Sequence, residues 1–186
     1  MSTTNAMHDD TSLQARLQHS ASKEAAFGEM VTLYQERLYF HVRRMLGNHD
    51  DADDVLQNTF IKAWRAIDRF RGDSKLHTWL YRIATNEALT ALDKWKRRSF
   101  QDLEQISNSS SFSSGQEGHS GDEIQIRLQR AIETLPERQK AVFSLRYFEE
   151  LPYQEISNVL GVTVGSLKAS YHHAVKKIEE QLTSKG

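Results

Sequence analysis

The sequence predicts an all-α fold of two small helical domains joined by a flexible linker, and three observations carry that prediction. Apolar residues recur at steps of three and four from Ser22 to Arg98 and again from Asp122 onward. A serine-rich segment without periodicity, residues 99–121, separates the two stretches. Between Tyr153 and Lys177 two short amphipathic segments meet at a glycine, which is helix-turn-helix spacing. The expected organisation is a tail over 1–21, a first domain over 22–98, the linker over 99–121 and a second domain over 122–186.

With 186 residues and a hydrophobic fraction of 38 %, the chain holds one domain or two small ones with much polar surface. No apolar run reaches about 18 residues, and no charged segment precedes an apolar one at the N-terminus. Neither a membrane span nor a secretory signal is therefore expected, and the expected location is the cytoplasm. The absence of cysteine excludes disulfides, thiolate catalysis and cysteine-ligated metal sites. A net charge of −1 conceals segregated fields. Ten basic residues stand against four acids between Lys62 and Arg98, whereas five acids and no base lie between Ser99 and Ile124. A basic stretch beside an acidic one suits phosphate binding.

Residues 1–21 show no sustained periodicity and are expected to fray. The first helix is expected from about Ser22 to Gly47, with Phe27, Met30, Val31, Tyr34, Leu38, Val42 and Met45 as its apolar stripe. Asp50, Asp51, Asp53 and Asp54 open the next helix at the positive end of its macrodipole. They lack the glycine and the distal glutamate of a calcium loop, so no metal site is expected. This helix is expected to bury Val55, Leu56, Phe60, Trp64 and Ile67. Ile61 is left as an apolar residue on a rim with Asp54, Gln57, Asn58, Lys62 and Arg65, which points to a protein partner.

Phe70 to Lys75 reads as a loop in which Gly72 permits a tight path and Phe70 is exposed. A third helix follows from about Lys75 to Arg98, burying Trp79, Leu80, Ile83, Ala84, Ala88, Leu92 and Trp95 and presenting Arg82, Asn86, Lys94 and Arg97. Cations interleaved with aromatics beside a glycine loop suit single-stranded nucleic acid.

As a coil, the 99–121 linker spans roughly 25 to 30 Å, and fully extended it reaches about 75 Å. Beyond it, Ile124, Leu128, Ala131, Ile132 and Leu135 share a helical face, and Pro136 begins another helix that buries Ala141, Val142, Leu145 and Phe148. In the helix-turn-helix, Ile156, Val159 and Leu160 face one side, Gly161 takes a positive φ and Thr163 caps a second helix running to about Gln181. That helix exposes Lys168, Ser170, His172, His173 and Lys176. Such a face fits a DNA major groove, with an ordinary helical hairpin as the alternative. Neighbouring His172 and His173 point about 100° apart and are not expected to share a metal.

The run DADDVLQNTFIKAWRAIDRFRGDSKLHTWLYRIATNEALTAL resembles the second region of bacterial sigma factors, in the compact setting of the extracytoplasmic-function (group IV) class. LPERQKAVFSLRYFEELPYQEIS and the helix-turn-helix after it resemble the fourth region of the same family. The resemblance implies a factor that binds core RNA polymerase, recognises −35 and −10 promoter elements and promotes DNA melting. By that resemblance, Asp54, Gln57, Asn58, Phe60, Ile61 and Trp64 lie where the family meets the clamp helices of the β′ subunit. Ala66, Phe70, Arg71, Gly72, Asp73, Ser74, Lys75 and Asn86 lie where a flipped non-template base of the −10 element is held, with Arg82 among the phosphate contacts. Arg146, Gly165, Ser166, Lys168, Ser170, His172, His173 and Lys176 lie toward the −35 element. Asn58 stands where the family often has glutamate, and Ala169, Ser170, His173 and Val175 stand where it often has arginine. The resemblance further implies an apolar face for the β flap, an anti-sigma factor as antagonist, no cofactor and no catalytic residue.

The residues alone leave two other classes open. One is a standalone helix-turn-helix regulator acting as a dimer on a palindrome. The other is a nucleic-acid enzyme, which requires a convergent catalytic set that the scattered histidines and the 50–54 acids do not supply.

Overall fold

The structure, a computed structural model, describes residues 12–105 and 123–183. Every regular element among them is helical. Most of the expected linker and the first residues of the expected tail lie outside the described residues. Helix α1 covers 12–17 and is followed by α2 (Lys23–Leu46), α3 (His49–Ala66), a 3-10 turn (Ile67–Arg69) and α4 (Leu76–Gln105). The C-terminal region comprises α5 (Glu123–Glu133), α6 (Glu137–Phe143) running into a π turn (Ser144–Phe148), α7 (Tyr153–Leu160) and α8 (Val164–Thr183).

Local chemistry sets the ends of these elements. Gly47 closes α2 in the left-handed region at φ 88°, and the Asn48 side chain accepts the Asp51 amide at 2.9 Å to cap α3. Pro136 and Pro152 precede the first turns of α6 and α7, where a missing amide costs no helical hydrogen bond. No breaker follows Arg98, and the α4 backbone continues to Gln105, past the expected end.

Three expectations are corrected. The 1–21 tail contains α1, whose Leu13 and Leu17 are fully buried. In α3 the innermost residues are Ala52, Val55, Thr59 and Ala63; Val55 and, just past the helix, Ile67 are buried as expected, whereas Leu56 and Phe60 are only half-buried. Small side chains at steps of three and four let α3 approach its neighbours closely, which rotates Trp64 out to 41 % exposure. Phe70 is 6 % exposed and packs on Trp79, with ring centroids 4.9 Å apart. Replacing Leu17 by alanine is expected to cost about 2 to 4 kcal/mol, read from urea unfolding, whereas a frayed tail predicts no change.

The two regions are docked. Ala141, Val142, Leu145, Leu151, Ile156, Val159 and Leu167 join the core built by α1 to α4, while Ala131, Ile132, Leu135, Phe143, Ala174 and Ile178 form a smaller core of their own. Helix α4 makes this possible because it is buried on more than one side. Besides Leu80, Ala84 and Ala88, it buries Thr78, Tyr81 and Thr85.

Several buried polar groups at this seam pair across it. His41 of α2 is fully buried, with Nε2 2.9 Å from Thr85 Oγ1 and Nδ1 3.1 Å from Ser144 Oγ. Burial, helped by the charge of Arg44, lowers its pKa to about 3. Unfolding exposes a histidine that takes up a proton near pH 6.5, so the unfolded chain binds more protons between about 6.5 and 3. Stability is therefore full above pH 6.5 and falls with acid through that window, by at most about 1.4 kcal/mol per pH unit from this group. Urea unfolding at pH 7.5 and pH 5 tests this: His41→Gln is expected to show a smaller difference between the two pH values than the parent chain.

Candidate nucleic-acid interface

The charge and apolar patterns place three surfaces on the folded chain. The first is the outer side of α3. Ile61 and Trp64 are 42 % and 41 % exposed, although apolar side chains of this size are ordinarily covered. Trp64 is held in place edge-on by Phe27 at 4.9 Å and by Lys23, whose Nζ lies 4.8 Å from the ring centroid. Asp54, Gln57 and Asn58 are exposed nearby and Phe60 is half-buried. Asp54 and Asn58 also line a polar groove of about 240 Å³ with Lys94 and Arg98 of α4.

The second surface is the loop from Phe70 to Lys75. Arg71, Gly72, Asp73 and Lys75 are exposed, Ser74 and Ala66 half-buried, and Arg82 and Asn86 exposed on α4. Gly72 takes φ 79° with the Gln14 side chain against it, so a residue bearing Cβ would be both strained and crowded. The turn after α1 braces the same loop: Gln18 Nε2 donates to the carbonyl oxygens of Phe70 at 2.8 Å and Ile67 at 3.3 Å. The Phe70 ring itself points inward, so the expected exposed aromatic is absent from this surface in the docked chain.

The third surface is α8. Gly161 takes φ 66°, Ser157 Oγ donates to the Val162 carbonyl at 2.6 Å, and Thr163 Oγ1 accepts the Ser166 amide at 3.3 Å. These bonds fix the turn and leave Gly165, Ser166, Lys168, His172, His173 and Lys176 exposed along one helix. Arg146 departs from the expected set. Its guanidinium donates to the Leu151 carbonyl at 3.0 Å and lies over the Tyr153 ring, which makes it a brace for the turn into α7. Ser170 is half-buried and, with Ser166, lines a cavity of about 190 Å³ against Asn86 and Leu89 of α4. Residues expected at the −10 and at the −35 element thus face each other in the docked chain.

Sequence reasoning missed the carboxylates of the seam. Glu149, 8 % exposed, accepts from Arg44 at 3.1 Å, from Arg37 at 3.4 Å and from the Tyr81 hydroxyl. Burial and the adjacent Glu149 charge push the Tyr81 phenol well up. Glu155 Oε1 accepts from Lys75 at 2.6 Å, while Oε2 lies 2.8 Å from His77 Nε2 and 3.2 Å from Thr78 Oγ1. Burial opposes ionisation of Glu155, but the hydrogen bonds and charges of Lys75 and His77 outweigh it and hold its carboxyl below the usual range. Nothing local marks these two acids, because their partners lie far away in the chain. Among the described residues, no cluster of three or more histidine or acidic side chains is placed to hold a metal.

The family models that match are Sigma-70 region 2 over residues 30–98 and Sigma-70, region 4 over residues 125–178. The ECF RNA polymerase sigma factor SigW of Bacillus subtilis is 32 % identical over 84 % of this chain and 89 % of its own length. The ECF RNA polymerase sigma-E factor of Escherichia coli K12 is 34 % identical over 93 % of this chain and 94 % of its own. The solved sigma factor RpoE of Bartonella quintana, in complex with the anti-sigma factor NepR, superposes with a TM-score of 0.69 at 25 % identity, covering 86 % of this chain and 98 % of that one. Two regions in family order, sharing a third of their residues with these relatives along nearly the whole length, place the chain in the extracytoplasmic-function sigma factors of the sigma-70 family.

Proposed function

We propose that this chain binds core RNA polymerase through the outer side of α3, recognises promoter DNA at two elements and assists strand opening. The observation that carries the reading is the occurrence of sigma regions 2 and 4 in a single chain. Three features of the surface support it. The Ile61 and Trp64 rim offers an apolar anchor to a protein partner. The loop from Phe70 to Lys75 joins Arg71 and Lys75 to Arg82 and Asn86 on the first turns of α4, with Ala66 beside them, a set suited to an unpaired strand. The α8 edge joins the exposed Gly165 and Ser166 at its start to Lys168 and Lys176 for phosphates, leaving His172 and His173 to approach base edges.

The factor performs no covalent chemistry of its own; polymerase supplies catalysis, and base capture supplies part of the opening free energy. Its place of action is the cytoplasm, where polymerase works, and no helix among the described residues is long and apolar enough to cross a membrane. An anti-sigma factor is the expected antagonist, and the RpoE structure is itself a complex with one. A regulator working as a dimer would leave the exposed α3 rim without a role.

The test is binding of the purified chain to core polymerase at low salt. The reading predicts a stable complex, and a folded chain that fails to associate contradicts it.

A further inference from the structure

Lys75, His77 and Thr78 converge on one carboxylate that is not local to them. The Glu155 side chain reaches across from the first turn of α7 and is only 14 % exposed, receiving donors at 2.6, 2.8 and 3.2 Å. A phosphodiester is also a compact monoanion that accepts from several donors at once, and lysine, histidine and a hydroxyl at a helix start are donors of the right kind. The strand proposed to occupy this loop carries one such group per nucleotide.

Elsewhere along the seam, Asn86 of α4 faces Ser166 and Ser170 of α8 across a cavity of about 190 Å³. Glu149 reinforces the same seam from deeper inside, through Arg37, Arg44 and Tyr81.

Resting on the sigma-factor reading above, we propose that Lys75, His77 and Thr78 form a phosphate site for the unpaired strand, filled in the free chain by the Glu155 carboxylate. Strand binding and docking of the C-terminal region on α4 then exclude each other. Removing the carboxylate exposes the site, and a polyanion placed there pushes the regions apart.

The test uses the full chain and needs no polymerase, so its outcome is separate from that of the sigma-factor reading. The probe is a fluorescent strand of about twelve thymidines at low salt. Native cysteine is absent, so spin labels at Gln35→Cys on α2 and Lys177→Cys on α8 report the distance between the regions without interference. Glu155→Gln is expected to bind the strand about fivefold to tenfold more tightly and to broaden the label distance distribution toward longer values. In the parent chain, saturating strand is expected to lengthen the distance in the same way. Equal affinity of Glu155→Gln and parent overturns the proposal. So does a parent distance that stays unchanged at saturating strand, a measurement that stands even if the variant folds poorly.

Discussion

Trp64→Ala is expected to weaken assembly with core RNA polymerase by about 30-fold or more, the loss typical of an anchor worth about 2 kcal/mol at a protein interface. The reason is its placement: α3 turns small residues inward, so Trp64 and Ile61 stand on the rim, and Phe27 with Lys23 fixes the indole in one orientation. A side chain held in position before binding loses little rotamer freedom on docking, which favours its use as an anchor. Ile61→Asp is expected to have at least as large an effect, because it places a charge where an apolar contact is required. Since both residues are more than a third exposed, folding stability is expected to change by about 1 kcal/mol or less. Titration of labelled core polymerase with each variant gives the comparison. Parent-like affinity for both would show that another surface makes the grip.

Phe70→Ala and Asn86→Ala are expected to separate two roles that the sequence places at one site. Phe70 is buried against Trp79, so its truncation is expected to cost about 3 to 5 kcal/mol of stability, read from denaturant unfolding. Asn86 is exposed, and its truncation is expected to change stability by no more than about 0.5 kcal/mol. Its effect should appear instead in promoter opening, as a loss of about tenfold in the rate of permanganate reactivity near the start site, with polymerase binding unchanged. Equal impairment of opening and polymerase binding by Asn86→Ala would contradict its place in the strand pocket.

The helices were legible wherever one apolar stripe decides the fold. Met30, Tyr34, Leu38, Val42 and Met45 form the buried stripe of α2 as their spacing requires, and Gly161 stands at the turn of the helix-turn-helix with the expected positive φ. Short or doubly buried elements were not legible. Leu13 and Leu17 are a single pair four residues apart, too few to establish a period. In α3 the size of Phe60 and Trp64 disguised a stripe made of Ala52, Thr59 and Ala63. In α4 the buried polar residues Thr78, Tyr81 and Thr85 look like a solvent face until a second region covers them. The exposed surfaces of α3 and α8 could be named in advance because apolar or basic residues on a helix rim are visible in a linear pattern. The Glu149 and Glu155 contacts could not, since a carboxylate in the chain does not show which distant cation it will meet.

The most direct test of the account is transcription by core polymerase on fragmented genomic DNA, with and without the purified chain, followed by mapping of transcript starts. The account predicts new start sites that share two upstream sequence elements at fixed spacing and that disappear with Trp64→Ala. Start sites that are the same with and without the chain, under conditions where the two proteins form a complex, would contradict it.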